Sequence, residues 1–96
     1  MTTTWTLIEP FLRLYNEESV EIGHIEFALE GETCRLLHTV AEEGFRGMGV
    51  AKLLMDRMVE VATERHWTLI PICSYSQVYL QRREAQIPKS NSLDAD

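Results

Sequence analysis

The chain has 96 residues, of which 45% are hydrophobic and 25% charged, and its formal net charge is −6. This length and composition predict one folded globular domain over residues 1–96. The acidic balance argues against nucleic acids and anionic membrane surfaces as partners, because both recruit basic patches. No apolar run reaches the ~18 residues of a membrane-spanning helix, and the N-terminus lacks the features of a signal peptide. We therefore expect a cytoplasmic monomer or weak homodimer with reduced cysteines.

The first half of the chain predicts an antiparallel β-meander. Its segments are short, apolar or alternating, and are separated by turn-forming residues. Strands are predicted at residues 5–8, 11–15, 20–29 and 33–40. The apolar phase of the third segment changes partway, because Val20 and Ile22 have one parity and Ile25 has the other. This slip predicts a β-bulge at Gly23-His24.

The second half predicts helix, strand and helix, which makes the fold class α+β with an α/β-like crossover. Apolar residues repeat at intervals of three and four over residues 47–65, which predicts a long amphipathic helix. Residues 67–72 predict a buried strand parallel to the 33–40 strand, because a helical crossover separates the two. Residues 74–83 predict a short second helix with Ser74 as its cap. The ordered core is expected at about residues 5–83, and residues 84–96 are expected to be a flexible tail.

A glycine-rich turn between the meander and the long helix is the main functional signal. Glycines let the backbone approach an anion, and the first N–H groups of a helix have no internal partner. The Walker phosphate loop would need Lys-Ser or Lys-Thr after Gly49, but Val50 and Ala51 follow it. The dinucleotide-binding fingerprint would need a third glycine where Lys52 stands. The turn therefore predicts a phosphate site of another kind.

The turn contains the pattern Arg-x-x-Gly-x-Ala, formed by Arg46, Gly49 and Ala51. This pattern resembles the pyrophosphate-binding loop of the GCN5-related N-acetyltransferases (GNATs), which hold acetyl-coenzyme A at the N-terminus of their central helix. His38-Thr39 before the loop and the run Ile70–Tyr75 after the helix resemble the small YjdJ-type branch of that family.

The resemblance covers roughly residues 11–83 and implies a minimal GNAT-like fold. Such a fold has a three- to four-stranded antiparallel meander, a central helix after the glycine loop, a parallel strand and a short C-terminal helix. The sequence departs from the pattern of this branch at Val40, where members often have an acidic residue. It also departs at Glu42 and Glu43, whose negative charge would weaken pyrophosphate binding unless both side chains point outward.

Acetyl-coenzyme A or coenzyme A is the ligand that the resemblance implies, as donor substrate. The implied binding residues are Thr39, Val40, Ala41, Arg46, Gly47, Met48, Gly49, Val50, Ala51, Lys52 and Cys73. Arg46 could equally be a solvated surface residue, and Lys52 could instead pair with Asp56. Arg82 and Arg83 could meet the adenosine 3′-phosphate or be solvated.

Three residues are candidates for catalysis. Cys73 follows the last strand beside a helix N-terminus, so it could accept an acetyl group, or it could be a small buried hydrophobe. His38 could be a general base, although it shares parity with the apolar residues Cys34 and Leu36 and could pack in the core. Tyr79 could protonate the departing thiolate, as the resemblance implies, or pack between helix and sheet.

Metal chemistry is not expected, because His24 and His66 have no partner at metal-ligand spacing. The predicted function is acetyl transfer from acetyl-coenzyme A to an amine whose identity the sequence does not indicate. The alternative is a coenzyme A or acyl-CoA binding module with little or no catalysis. A structural dimerising domain with a vestigial loop is a third hypothesis.

Overall fold

The computed structural model describes residues 3–86, which form five strands and two helices. In chain order these elements are β1 (Thr4–Ile8), β2 (Phe11–Tyr15), β3 (Glu21–Glu30), β4 (Thr33–Ala41), α1 (Val50–Arg65), β5 (Thr68–Pro71) and α2 (Ser74–Gln86). Residues 87–96 of the predicted tail lie outside the described part of the chain.

The strands form one sheet in the order β1-β2-β3-β4-β5. The first four strands pair antiparallel, and β5 pairs parallel to β4 after the α1 crossover. The predicted α+β fold is therefore confirmed, including the edge strand at residues 5–8. Short turns join the antiparallel strands, whereas the parallel pair requires the longer helical connection.

The core lies between one face of the sheet and α1. Its largest fully buried side chains come from β2, β3, β4 and α1: Leu12, Leu14, Ile25, Phe27, Leu36, Leu54, Met55 and Met58. Gly23 allows the start of α1 to approach the sheet closely. A Cβ atom at Gly23 would stand 2.6 Å from Val50 Cγ1 and 2.8 Å from the Val40 carbonyl oxygen.

Two β-bulges change which side chains face the helices. The first is in β3, where Tyr15 pairs with Glu21 and Leu14 with Gly23, so that Ile22 is the extra residue. The bulge predicted at Gly23-His24 therefore lies one position earlier, at Ile22. The second bulge was not predicted. It lies in β4, where Phe27 pairs with Leu36 but Glu26 pairs with His38.

Helix α1 begins at Val50 rather than at the predicted Gly47. Gly47 and Gly49 have φ angles of 80° and 79°, which a right-handed helix does not accommodate. Helix α2 continues to Gln86, three residues beyond the predicted Arg83. Within residues 3–86, neither helix has the length and apolar character needed to cross a bilayer.

Candidate functional site

A gap opens in the sheet between β4 and β5. Their pairing ends at Leu36 and Pro71, and the Leu36 carbonyl accepts hydrogen bonds from the amides of both Ile72 and Cys73, each at 3.0 Å. Beyond this point the chain after β5 turns into α2, while β4 continues to Ala41. The bulge at Leu37 coincides with this divergence.

The backbone of β4 presents polar groups to the gap. The Glu42 amide donates to the Ile22 carbonyl at 2.9 Å, so the backbone groups at that position point toward β3. Backbone direction alternates along a strand, and the polar groups of Ala41 and Thr39 therefore point away from β3. An extended ligand lying in the gap could pair with them as a further strand would.

The glycine loop lies at the end of β4, where it leads into α1. Gly44, Gly47 and Gly49 have φ angles of 93°, 80° and 79°, and a Cβ at any of them would meet no atom of residues 3–86 within 4 Å. The left-handed backbone explains why glycine is required for the turn. The open space outside all three glycines leaves room for a ligand.

The N-terminus of α1 is suited to an anion. Gly49 is the residue that caps the helix, no side chain within residues 3–86 caps it, and the first turn contains no acidic residue. The Leu53 amide donates to the Gly49 carbonyl at 3.1 Å, so the amides of Val50, Ala51 and Lys52 precede the first intrahelical bond. These amides and the helix dipole favour negative charge.

The loop is anchored on one side and open on the other. Phe45 packs against the core, and its amide donates to the Glu42 carbonyl at 3.0 Å. Arg46 and Met48 are exposed. The Lys52 Nζ atom lies 2.9 Å from Asp56 Oδ2, which is the intrahelical pairing considered as the alternative for this residue.

The side chain of Glu42 turns away from the loop. Its Oε2 atom lies 3.1 Å from the Nδ1 atom of His24, which also lies 2.9 Å from Glu21 Oε2. Spacing along the chain could not indicate the contact between His24 and Glu42, because the two residues are 18 positions apart. Glu43 is exposed.

Cys73 caps α2 and lies across the gap from Thr39. Its carbonyl accepts the Gln77 amide at 3.1 Å, so Cys73 rather than Ser74 occupies the capping position. Its Sγ atom lies 3.1 Å from Ser76 Oγ and 3.5 Å from Thr39 Oγ1, and accepts the Ser76 amide at 3.4 Å. Burial raises the pKa of the Cys73 thiol, but its hydrogen bonds with Ser76 and Thr39 outweigh this effect and the net pKa is lowered.

Cys34 differs from Cys73 in its burial and in the direction of its pKa shift. It is fully buried in the core, and burial raises the pKa of its thiol to about 11. This is the environment of a structural cysteine.

His38 is exposed on the face of the sheet opposite the helices. The bulge at Leu37 reverses the alternation, so His38 pairs with Glu26 while Cys34 and Leu36 stay buried in the core. The interpretation that His38 shares a face with these two residues was wrong. A packed core histidine is thereby excluded.

Tyr79 is engaged between the two helices. Its hydroxyl donates to Asp56 Oδ1, and burial together with the Asp56 carboxylate raises the pKa of Tyr79 to about 12. This environment does not favour proton donation to a departing thiolate.

A cavity of about 250 Å³ lies beside the pair, and its lining residues are Lys52, Asp56, Tyr75, Val78, Tyr79, Arg82 and Arg83.

Two polar contacts at the site were missed from the sequence. Ser76 is fully buried and contacts the Cys73 thiol, while Asp56 joins Lys52 to Tyr79. The spacing Cys73-x-x-Ser76 at a helix start, which matches the positions of a capping box, could have indicated the first. No local pattern indicates the second contact, because its partners lie 23 residues apart.

A sequence model described as GCN5-related N-acetyl-transferase matches residues 11–88. No curated protein matches the chain significantly.

Solved structures share the fold. A GCN5-like protein from Staphylococcus aureus, determined by NMR in solution, superimposes with a TM-score of 0.66 at 22% identity, and the match covers 85% of this chain and 81% of that one. Escherichia coli YhbS in complex with CoA gives a TM-score of 0.58 at 19% identity, covering 70% of this chain and 43% of YhbS. PaiA from Thermoplasma acidophilum with coenzyme A gives 0.57 at 16% identity, covering 78% of this chain and 48% of PaiA. This chain therefore spans less than half the length of either coenzyme A complex.

Proposed function

Because the chain belongs to the GCN5-related N-acetyltransferase family, we propose that it binds acetyl-coenzyme A and transfers the acetyl group to an amine. The observation that carries the proposal is the N-terminus of α1, which no side chain within residues 3–86 caps and which follows a glycine loop with open space outside it. The two coenzyme A complexes with the same fold support this choice of ligand.

The pyrophosphate would bind to the amides at the start of α1, with Gly47, Gly49 and Arg46 around it. The pantetheine arm would then enter the gap, where the backbone groups of Thr39 and Ala41 point away from β3 and could pair with its amides. This path brings the thioester toward Cys73 at the narrow end of the gap.

The adenosine 3′-phosphate would be held in the cavity between α1 and α2. Arg82 and Arg83 line this cavity and supply positive charge, while Lys52 offsets the negative charge of Asp56, which also accepts from Tyr79. Cations in such a position attract a phosphate dianion, although exposure to solvent limits the gain in affinity.

The acceptor amine would approach from the other face of the sheet. With the pyrophosphate at α1 and the pantetheine arm in the gap, coenzyme A would cover the helix side, which leaves the opposite face for a second substrate. His38 is exposed there, next to Thr39 in the chain, and an imidazole can accept the proton that the amine loses.

Cys73 is the residue proposed to react with the thioester. Its thiolate would attack the carbonyl carbon, forming a new C–S bond and releasing coenzyme A as its thiolate. The amine would then attack the acetyl-cysteine, the Cys73 thiolate would leave, and His38 would take the amine proton. The lowered pKa of Cys73 supports this role because the thiolate is the reactive form.

Calorimetry with coenzyme A tests the binding step. Gly49→Asn keeps a residue that tolerates a left-handed backbone but fills the space outside the loop. Gly31→Asn is the matched control, because Gly31 also has a positive φ, of 59°, and open space, but lies in the β3–β4 turn. We expect coenzyme A to bind wild type and Gly31→Asn alike and Gly49→Asn at least tenfold more weakly. Equal binding by all three proteins would overturn the proposal.

Intact mass spectrometry after incubation with acetyl-coenzyme A tests the covalent step. A single acetyl adduct should form on wild type and on Cys34→Ala, and should be absent from Cys73→Ser. The release of coenzyme A from acetyl-coenzyme A is then measured in the presence of a panel of amines. If Cys73→Ser releases coenzyme A as fast as wild type does, the acetyl group is transferred directly to the amine and Cys73 is not the acetyl carrier.

A further inference from the structure

A histidine and two glutamates from separate positions converge on the face of the sheet opposite the helices. Glu21 and His24 belong to β3, and Glu42 follows β4. One ligand atom from each lies within 4.8 Å of the other two. The side chains are 24%, 21% and 37% exposed, respectively, so solvent can reach the cluster.

The spacing of these atoms is that of ligands around one metal ion. His24 Nδ1 lies 2.9 Å from Glu21 Oε2 and 3.1 Å from Glu42 Oε2. Ligands about 2.1 Å from one ion are roughly 3.0 Å apart at neighbouring corners of an octahedron and roughly 3.4 Å apart in a tetrahedron. A small shift outward would therefore admit an ion.

One hydrogen bond from His24 Nδ1 cannot satisfy both carboxylates. Nδ1 carries at most one hydrogen, and two carboxylate oxygens lie within bonding distance of it. An ion that replaces this hydrogen would interact with all three groups together.

Surrounding residues would orient the ligands. Arg13 donates to Glu21 Oε1 at 2.9 Å, which leaves Oε2 directed at His24. The ring of Phe11 packs edge-to-face against the His24 imidazole, with centroids 5.5 Å apart. Outer contacts of this kind fix the orientation of metal ligands.

We propose that Glu21, His24 and Glu42 bind a divalent first-row transition metal ion, with water completing its coordination. The imidazole selects such ions over Mg²⁺ and Ca²⁺, which prefer oxygen ligands alone. The ion would join β3 to the residue that begins the glycine loop, and would take no part in acetyl transfer.

Calorimetry with Zn²⁺ on the chelator-treated protein, without coenzyme A, tests the site. We expect one Zn²⁺ per chain, with affinity lowered at least tenfold in Glu42→Gln and in His24→Gln. Glu43→Gln and His66→Asn are matched controls, since both residues are exposed and lie outside the cluster. Both controls, and Cys73→Ser, should bind like wild type, and Mg²⁺ should not compete.

A spectroscopic measurement on wild type avoids dependence on the variants. Zn²⁺ should shift the ¹⁵N resonance of His24 Nδ1 more than that of Nε2. Three results would overturn the proposal: no Zn²⁺ binding, binding lost in Cys73→Ser, or binding weakened as much by Glu43→Gln as by Glu42→Gln. Failure here leaves the coenzyme A measurement unaffected, because the two titrations use different ligands.

Discussion

Gly23 is a residue whose missing side chain allows the sheet and helix to meet. We expect Gly23→Ala to lower the free energy of unfolding by about 1–3 kcal/mol, because its Cβ would contact a backbone carbonyl that cannot rotate away. Chemical denaturation measures the loss. Gly31→Asn, in an open turn, should stay within about 0.5 kcal/mol of wild type. A fully stable Gly23→Ala protein would contradict the close packing.

Ser76 is the residue that we expect to tune the reactivity of Cys73, because it contacts the thiol. In the structure the Ser76 hydroxyl accepts from the Cys73 thiol and donates to the Cys73 carbonyl, and on ionisation it can turn to donate to the thiolate, so Ser76→Ala should raise the apparent pKa of Cys73. The pH dependence of iodoacetamide alkylation reports this value. Ser74→Ala is the control, because Ser74 is exposed beside it. An unchanged or lower pKa in Ser76→Ala would mean that the hydroxyl does not support the thiolate.

At the scale of elements, the contact between Tyr79 and Asp56 joins α2 to α1. Tyr79→Phe should cost about 1 kcal/mol of stability, because it removes a hydrogen bond to a carboxylate. The pKa of Tyr79 is about 12 in the folded chain, against an ordinary value of ~10, so the folded state holds this proton more tightly. The stability from this group is therefore complete below pH ~10 and is lost as the pH rises toward 12.

Urea denaturation of wild type and Tyr79→Phe between neutral and alkaline pH checks this assignment. The stability difference between the two proteins should be constant up to about pH 10 and shrink above it. A difference that grows with alkaline pH would have the wrong sign and would contradict the contact.

The end of α1 has a residue in an unfavourable conformation. His66 has a φ of 61°, and its amide donates to the Ala62 carbonyl, which ends the helix. Glycine is preferred at this position, so His66→Gly should raise the free energy of unfolding by about 0.5–1 kcal/mol. Thermal denaturation measures the gain, and a destabilised variant would show that the imidazole makes a favourable contribution.

At the scale of the whole molecule, ligand binding should stabilise a small core. At a hundredfold excess over Kd, coenzyme A should add about 2.7 kcal/mol to the free energy of unfolding, because it binds only the folded chain. Differential scanning fluorimetry should show this as a rise in Tm for wild type and Gly31→Asn. Gly49→Asn should show little rise, and an equal rise in all three would place binding elsewhere.

Much of the fold was predictable because its signals are local. Residues close together in the chain predict three of its features: the long helix that ends at Arg65, the turns between strands and the short strand at residues 67–72. The start of α1 was misplaced by three residues because the apolar pattern does not report backbone angles. The positive φ of Gly47 and Gly49 delays the helix to Val50.

The face of the sheet on which His38 lies was predicted wrongly, because it depends on a contact between strands and not on neighbouring residues. A bulge in one strand is defined by the register against its partner, and the extra residue Leu37 is apolar like Leu36 before it. A period-two pattern therefore continues past it without any visible break. In β3 the slip was visible because it separates apolar residues of opposite parity, and the prediction erred there by one position.

The sequence by itself determined the order of the elements, the glycine loop before α1 and the resemblance to an acetyltransferase, because each depends on residues close together in the chain. Only the tertiary structure decided which distant side chains meet: Thr39 with Cys73, Asp56 with Tyr79, and His24 with Glu42. These contacts follow from strand register and helix placement, which are set by packing across the whole core.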